Sequence, residues 1–580
     1  MAKQGLTKLP SYLLISLWLL ALLPIVPLFP TIHAAPISTF YAEWLAIVVG
    51  ILLSFSILPI VYSAKSIQIP RIALLPLVIM GVVVIQIFVL PQVVNEHAQM
   101  AVLYLFWTTL LMVLVRSLVV KTSLDVVGYY LAMGLVISSV AASIYEFIFR
   151  LLDIHQWWGG VAQANNYGDL LALGFASALY ILTVKPWQRN YWLVLMGVIV
   201  LGLSLTTSRT VWLYWLVMIL LSWKWQRQHL SIIVSGMVLY SVFQLCWAND
   251  LLFSSVTAAE RLAERMGGTF IRGQLWKIAW HIFSESPWIG AGFGQYDWEY
   301  FNAGIHIPEA ITRAEHAHNI VLHLLAELGL IPVLALIVML GYWLRQVLKT
   351  LLVESAEKGD NAFSIWLLMV IAVLGIHSLL EYPLWYAQFL IIAGIVLALG
   401  EDKLFTIKIK TSNVVIAGGV LVFALIFSVV HLWHYQKLEH AVNIYGQVSS
   451  KQNMSELITV AKNTHIQAPL LTPYVSIIFT LLANPADKDF QADLSVLAQN
   501  SSLFWPSDRL IYRNIEMLAL TGRKQESAIL MRKALLAYSH WTNEFIKELD
   551  ALDEDDQKKV DFLRDMIDAH FNKLNTLSGT

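Results

Sequence analysis

Long apolar runs broken by short polar segments occupy the chain from near its start to about residue 433. A helix needs roughly 20 apolar residues to cross a bilayer. Thirteen runs approach that length: 11–30, 42–63, 71–91, 99–120, 126–149, 166–184, 190–207, 210–223, 229–247, 318–344, 362–380, 384–400 and 412–433. The run 210–223 is short, so the pattern predicts twelve or thirteen spans. After residue 433 the pattern changes. Stretches such as LEHAVNIYGQV and ESAILMRKALLAYSHW place apolar residues at helical spacing among charged ones. The expected architecture is all-α and polytopic. A membrane domain covers 1–433, including one long polar loop at 248–317, and a helical domain covers 434–580. Helix pairs of the tetratricopeptide kind fit that tail, although no clear period marks them.

The short loops alternate in charge. One set holds Lys3 and Lys8, Lys65 and Arg71, Arg116 and Lys121, Lys185 and Arg189, Lys224 and Arg227, Arg345, Lys349 and Lys358, and Lys403, Lys408 and Lys410; the other holds Arg150 and Arg209. Basic loops stay in the cytoplasm. The N-terminus is therefore expected inside, and both the 248–317 loop and the tail outside. Composition agrees: 13% of residues are charged and 58% hydrophobic, against about 25% charged in soluble proteins. A net charge of -1 gives no footing for nucleic acid, and the single cysteine, Cys246, excludes an internal disulfide. The basic start and apolar run of residues 1–30 lack a convincing cleavage site and read as a first span.

On this threading, unusual polar residues gather at the outer face. Gln163, Asn165 and Asn166 lie in WWGGVAQANNYG, Arg209 in LTTSRTVWLYW, Arg272 in FIRGQLWKIAW, and Glu381 and Tyr382 in LLEYPLWYA; His318 and Asn319 open the run 318–344, just after Glu315 and His316. Ionisable groups at a membrane boundary are functional candidates. Each also has a plainer reading: Arg209 as a snorkelling anchor, Arg272 as part of a solvated helix face, Gln163 and its neighbours as a helix cap, and Tyr382 as part of the interfacial aromatic belt. GAGFG lacks the Lys-Ser or Lys-Thr of a phosphate loop. His316, His318 and His323 invite a zinc reading, but their spacings do not put three imidazoles on one helical face, so no metal is expected. A histidine titrates near neutrality and can take a proton from a hydroxyl, which suits His318 to the role of a base.

His318-Asn319, nine residues and then Gly329 match the His-Asn-x9-Gly signature of the O-antigen ligase and polymerase superfamily. AHNIVLHLLAELGLIP resembles bacterial protein (pilin) O-oligosaccharyltransferases of the PglL type, with Pro332 where the superfamily often has Gly, Thr or Tyr. GGVAQANNYG, TTSRTVWL, RGQLWKIAW and EYPLWYAQFL resemble further motifs of the family, with Ala164 where proline is common. The resemblance implies a multi-pass protein of the bacterial inner membrane with a periplasmic active site and no cofactor. Its donor is a preassembled glycan on undecaprenyl diphosphate, and its acceptor a serine or threonine of pilin or another exported protein. It also implies roles: His318 as base, Arg209 and Arg272 on the diphosphate, Gln163, Asn165 and Tyr382 orienting substrate, and Glu315, His316 and Asn319 supporting His318. Single displacement inverts the anomeric centre. The alternatives are transfer to lipid A core sugar, polymerisation of lipid-linked glycan, or, in a different class, a lipid or glycan transporter. Transport sites lie near the midplane, whereas these candidates gather at one face.

Overall fold

A computed structural model describes residues 9–28, 36–152, 158–161, 163–249, 267–305, 314–356, 361–447 and 451–578. Lys3, Lys8 and Lys358 of the basic loops lie outside the described residues, as do 250–266 and 306–313 of the expected outer loop. The helices in chain order are α1 (Ser11–Leu22), α2 (Phe40–Ala64), α3 (Leu74–Val89), α4 (Asn95–Lys121), α5 (Leu124–Leu151), α6 (Ala164–Val184), α7 (Arg189–Leu205), α8 (Thr210–Trp225), α9 (Leu230–Ala248), α10 (Gly267–Glu285), α11 (Tyr296–Asn302), α12 (Ile320–Leu328), α13 (Leu330–Ala356), α14 (Ala362–Ser378), α15 (Ala387–Leu399) and α16 (Thr411–Gln447). The tail continues with α17 (Lys451–Gln467), α18 (Thr472–Leu482), α19 (Gln491–Phe504), α20 (Asp508–Leu520), α21 (Lys524–Ala537), α22 (Thr542–Asp550) and α23 (Glu554–Ser578).

The chain is an all-α, multi-pass membrane protein. Among the described residues, nine helices are long and apolar enough to cross a bilayer, those built on α2, α3, α4, α5, α6, α7, α9, α13 and α16. Four other expected spans fall on the shorter apolar helices α1, α8, α14 and α15. The first stops at Leu22, ahead of Pro24 and Pro27, which cannot donate into a continuing ladder. The expected run 318–344 is not one helix. It breaks at Gly329, leaving the nine-residue α12 in front of the longer α13. His318 therefore precedes a short separate helix and does not open the span itself. An antiparallel ribbon, β1 (Ser66–Pro70) with β2 (Leu404–Lys408), was not expected; it pairs Ser66 with Lys408 and Pro70 with Leu404. Lys65 enters it at φ 51.

The chain divides into two compact units. The first comprises Met1–Val78, Tyr104–Phe270 and Leu334–Val429. Small residues let its helices approach closely, as membrane bundles require. A Cβ on Gly174 would stand 2.0 Å from Ser139 Oγ, and one on Gly202 2.1 Å from Ser143 Oγ. Ser139 donates to carbonyls of both α5 and α6, Leu135 and Leu170, at 2.7 Å each.

The second unit comprises Ile79–Leu103, Ile271–Val333 and Val430–Thr580. Its main apolar core is shared between the polar-loop helices and the tail. Leu275, Ile278 and Ile282 of α10, with Tyr296, Tyr300 and Phe301 of α11, pack with Ile511, Ile515, Met531, Phe545 and Leu563. Phe301 stacks on Tyr538 with centroids 5.8 Å apart, and Lys533 Nζ donates to Asn302 Oδ1 at 2.9 Å. In the tail, α18 packs on α19, α19 on α20 and α20 on α21.

One tail carboxyl is under tension. Glu516 of α20 is buried beside Arg513, and burial pushes its pKa from 4.5 up to about 7 against the pull of that arginine. A raised carboxyl favours the protonated folded state, so its stabilising contribution is complete below pH 4.5 and is lost as pH rises through 7. Amide exchange in α20, corrected for its intrinsic pH dependence, is expected to accelerate across that window, and Glu516→Gln to flatten the rise. An equal slope in both proteins would reject the burial effect.

Candidate functional site

The sequence candidates fall in both units. In the first, three separate segments are tied to one buried hub. Gln163 is extended (φ -145, ψ 135) and leads into α6. The Thr206 hydroxyl donates to the Ala164 carbonyl at 2.8 Å and accepts from the Ser208 N–H at 3.1 Å. This fixes the loop carrying Arg209 beside Gln163 and Asn165. Arg209 itself caps α8 (φ -74, ψ -18), and among the described residues its guanidinium has no ion pair.

Below these residues lies Asp169, fully buried. It pairs with His377 Nδ1 from α14 and accepts from the Tyr214 hydroxyl of α8. Asp169 follows Asn165 by four residues and Tyr214 follows Arg209 by five, roughly 6–8 Å along the helices. The N–H groups of Leu380 and Glu381 turn back to the His377 carbonyl at 2.8 and 2.7 Å, which holds the turn leading to Tyr382. Tyr382 stacks on Tyr386 with centroids 6.3 Å apart. Gln163, Asn165, Arg209 and Tyr382 are therefore positioned by one three-helix contact.

A second buried pair sits at the same end. Arg150 Nε bonds Glu146 at 3.0 Å, Arg150 NH2 donates to the Leu205 carbonyl at 2.7 Å, and the guanidinium lies 5.4 Å from the Trp158 ring centroid. The loop charge pattern marked Arg150 but not its partner.

The second unit holds Arg272, Glu315, His316, His318 and Asn319. His318 adopts φ +50, a left-handed conformation uncommon outside glycine. The chain reverses there, and Asn319 caps α12, its Oδ1 accepting from Val321 and Leu322 N–H at 3.1 and 3.2 Å. His316 faces His323, with Nδ1 3.4 Å from Nε2, and His323 Nε2 lies 3.5 Å from Glu327 Oε2. Glu315 is exposed.

Two glycines explain the break after α12. Gly329 has φ +77, and a Cβ there would lie 2.5 Å from the Trp288 carbonyl carbon and oxygen. Gly290, at φ +66, would meet the Glu327 backbone at 2.3 Å. Backbone therefore docks on backbone: Ala291 N–H donates to Ala326 at 2.9 Å, Gly292 to Glu327 at 3.0 Å and Leu330 to Pro287 at 2.8 Å. Gln86 clamps the join, donating to the Ile289 and Glu327 carbonyls and accepting from Phe293 N–H at 3.0 Å. GAGFG is a docking loop for the His318 helix.

Tyr296 links that helix to α10, the helix that carries Arg272. Its hydroxyl donates to the Leu275 carbonyl of α10 at 2.8 Å, its N–H donates to Glu327 Oε1 at 3.1 Å, and its ring centroid lies 5.3 Å from that of His323. Burial first, and then the charges of its neighbours, pushes its pKa well above the usual range, so it stays a neutral donor. Arg272 is half-buried three residues before Leu275.

Sequence reasoning missed Asp169, Tyr214, His377, Glu146 and Gln86. The signal was present in NNYGDLLAL and LGIHSLL, where ionisable residues interrupt apolar helices.

A family profile described as O-Antigen ligase matches residues 192–338, and one described as virulence factor membrane-bound polymerase, C-terminal, matches 365–547. The first match contains Arg209, Arg272 and His318, the second His377, Tyr382 and much of the tail. A general O-oligosaccharyltransferase of Acinetobacter baylyi is 24% identical over 442 residues, covering 70% of this chain and 74% of its own.

Removing the hub carboxylate with Asp169→Ala strands two buried polar partners. Breaking a buried pair costs about 3–5 kcal/mol. The purified variant is expected to melt well below the parent in detergent, and an unchanged melting temperature would show that the hub is not holding the three segments.

Proposed function

The chain belongs to the O-antigen ligase superfamily of glycan transferases, and from that premise we propose that it is a protein O-oligosaccharyltransferase. It moves a preassembled glycan from undecaprenyl diphosphate to serine or threonine of pilin or another exported protein, at the periplasmic face of the inner membrane. The observation that carries this reading is the geometry of His318. The chain holds an imidazole in a sparsely populated conformation, and such strain persists where the surroundings over-determine it. Asn319, Gly329 and the Gln86 clamp supply those surroundings.

The step runs as follows. His318 takes the proton of the acceptor hydroxyl. The freed oxygen attacks the anomeric carbon, the bond from that carbon to the diphosphate breaks, and undecaprenyl diphosphate leaves with the electron pair. One displacement inverts the centre. Negative charge grows on the leaving group, and a fixed guanidinium stabilises it through paired, charge-assisted hydrogen bonds. Arg272 takes this role, and Arg209 carries the same assignment by residue type and motif. Gln163, Asn165 and Tyr382 orient substrate, and Asn319 and His316 support the His318 turn. The reaction as written needs no metal or cofactor. The membrane domain is assigned to 1–433 and an acceptor-selecting helical domain to 434–580.

The match to a polymerase C-terminal family over 365–547 favours a second reading, extension of lipid-linked glycan. Intact-mass analysis after co-expression with a pilin and a lipid-linked glycan separates the two. Glycan mass on the protein supports the proposal, whereas longer lipid-linked chains with unmodified pilin favour the polymerase.

His318→Ala is expected to fold and bind the donor while transfer falls by at least about 10²-fold; near-parental pilin glycosylation would remove His318 as base. For Arg272→Lys, turnover is expected to drop by one to two orders of magnitude, since an ammonium cannot make the bidentate contact. Parental turnover with purified donor and acceptor would contradict a diphosphate role.

A further inference from the structure

The first unit carries a groove of about 700 Å³ between the start of α5 and the turn joining α6 to α7. Its lining includes Tyr129, Lys185, Trp187, Arg189 and Tyr191, and it contains no carboxylate. Lys185 Nζ donates to the Tyr129 hydroxyl at 2.6 Å, which aims the ammonium and leaves two of its three donors for another acceptor. Arg189 is exposed, as are Trp187 and Tyr191, at 62% and 59%. Val194, one helical turn beyond Tyr191, is an exposed apolar residue at 66%.

Two cations sharing a groove without a counter-charge repel each other, and an anion between them relieves that repulsion. Flanking tryptophan and tyrosine suit the depth of lipid headgroups. Basic pockets between transmembrane helices bind anionic headgroups. The loop belongs to the basic set that the charge pattern assigns to the cytoplasm, away from the candidate catalytic residues. We propose that this groove binds the phosphate of an anionic glycerophospholipid, held by Lys185 and Arg189 with the acyl chain running past Val194. The site is independent of which glycan or acceptor the protein uses.

The full chain, purified and delipidated, is titrated with phosphatidylglycerol or with phosphatidylcholine of the same acyl chains, and bound lipid is counted by native mass spectrometry. The parent should prefer phosphatidylglycerol. Each cation near a membrane surface is worth about fivefold in partitioning, so Lys185→Gln with Arg189→Gln should weaken the phosphatidylglycerol site about 25-fold and leave phosphatidylcholine unchanged. Arg189→Gln alone, at an exposed position, should give about fivefold and covers a double variant that fails to fold. Equal binding by parent and variants, or no headgroup preference in the parent, would overturn the proposal. Full displacement of phosphatidylglycerol by millimolar inorganic phosphate would also overturn it, by showing that the site takes a free anion.

Discussion

A carboxylate buried among apolar helices has few ways to remain there, and Asp169 has found one. Its two oxygens take a hydroxyl from α8 and an imidazole nitrogen from α14. Leaving any of these groups unmatched in a poorly hydrated interior costs several kcal/mol, so the three helices can settle only in the registry that satisfies all three. Each helix carries, at its nearby end, one segment named as a candidate from sequence: Gln163 and Asn165 at the start of α6, Arg209 ahead of α8, Tyr382 after α14. Side chains separated by more than 200 residues are aligned by one polar contact, and dispersion packing between apolar helices could not choose that registry with the same strictness.

The second unit solves a different problem by different means. His318 stands at a bend with φ +50 ahead of a short helix, not on the first turn of a continuous span. The break at Gly329 makes α12 a separate short helix, pinned at its start by Asn319 and at its end by backbone contact with residues 287–292. That contact works only because Gly290 and Gly329 lack side chains; a Cβ on either would overlap the opposing backbone. The spacing of His318 and Gly329 in the signature thus has a mechanical content, since the glycine fixes the far end of the helix whose near end carries the imidazole.

Much of this was legible before any coordinates. Apolar runs near 20 residues located the helices, because the bilayer demands that length. The candidate residues were legible because polar groups stand out against a composition that is 58% hydrophobic. The break after α12 was not, because Gly329 sits within an apolar run and its φ of +77 is imposed by a partner strand of backbone about forty residues away. The hub was missed for a related reason. Asp169 and His377 are ordinary interruptions of their own helices, and only their pairing across 208 residues of sequence gives them a role.

Two ion pairs are buried in the first unit among the described residues, and they contrast with the half-buried Arg209. Asp169 with His377, and Glu146 with Arg150, are matched inside the protein. Such pairs gain little net stability over an apolar pair of the same shape but are expensive to break, so they act as fixed points. Arg209 is held by its loop with no carboxylate among the described residues to neutralise it, although Glu146 and Asp169 show that this end of the bundle can carry acidic side chains. The role proposed for Arg209 uses this half-buried guanidinium, whose planar fork can engage paired oxygens of an anion.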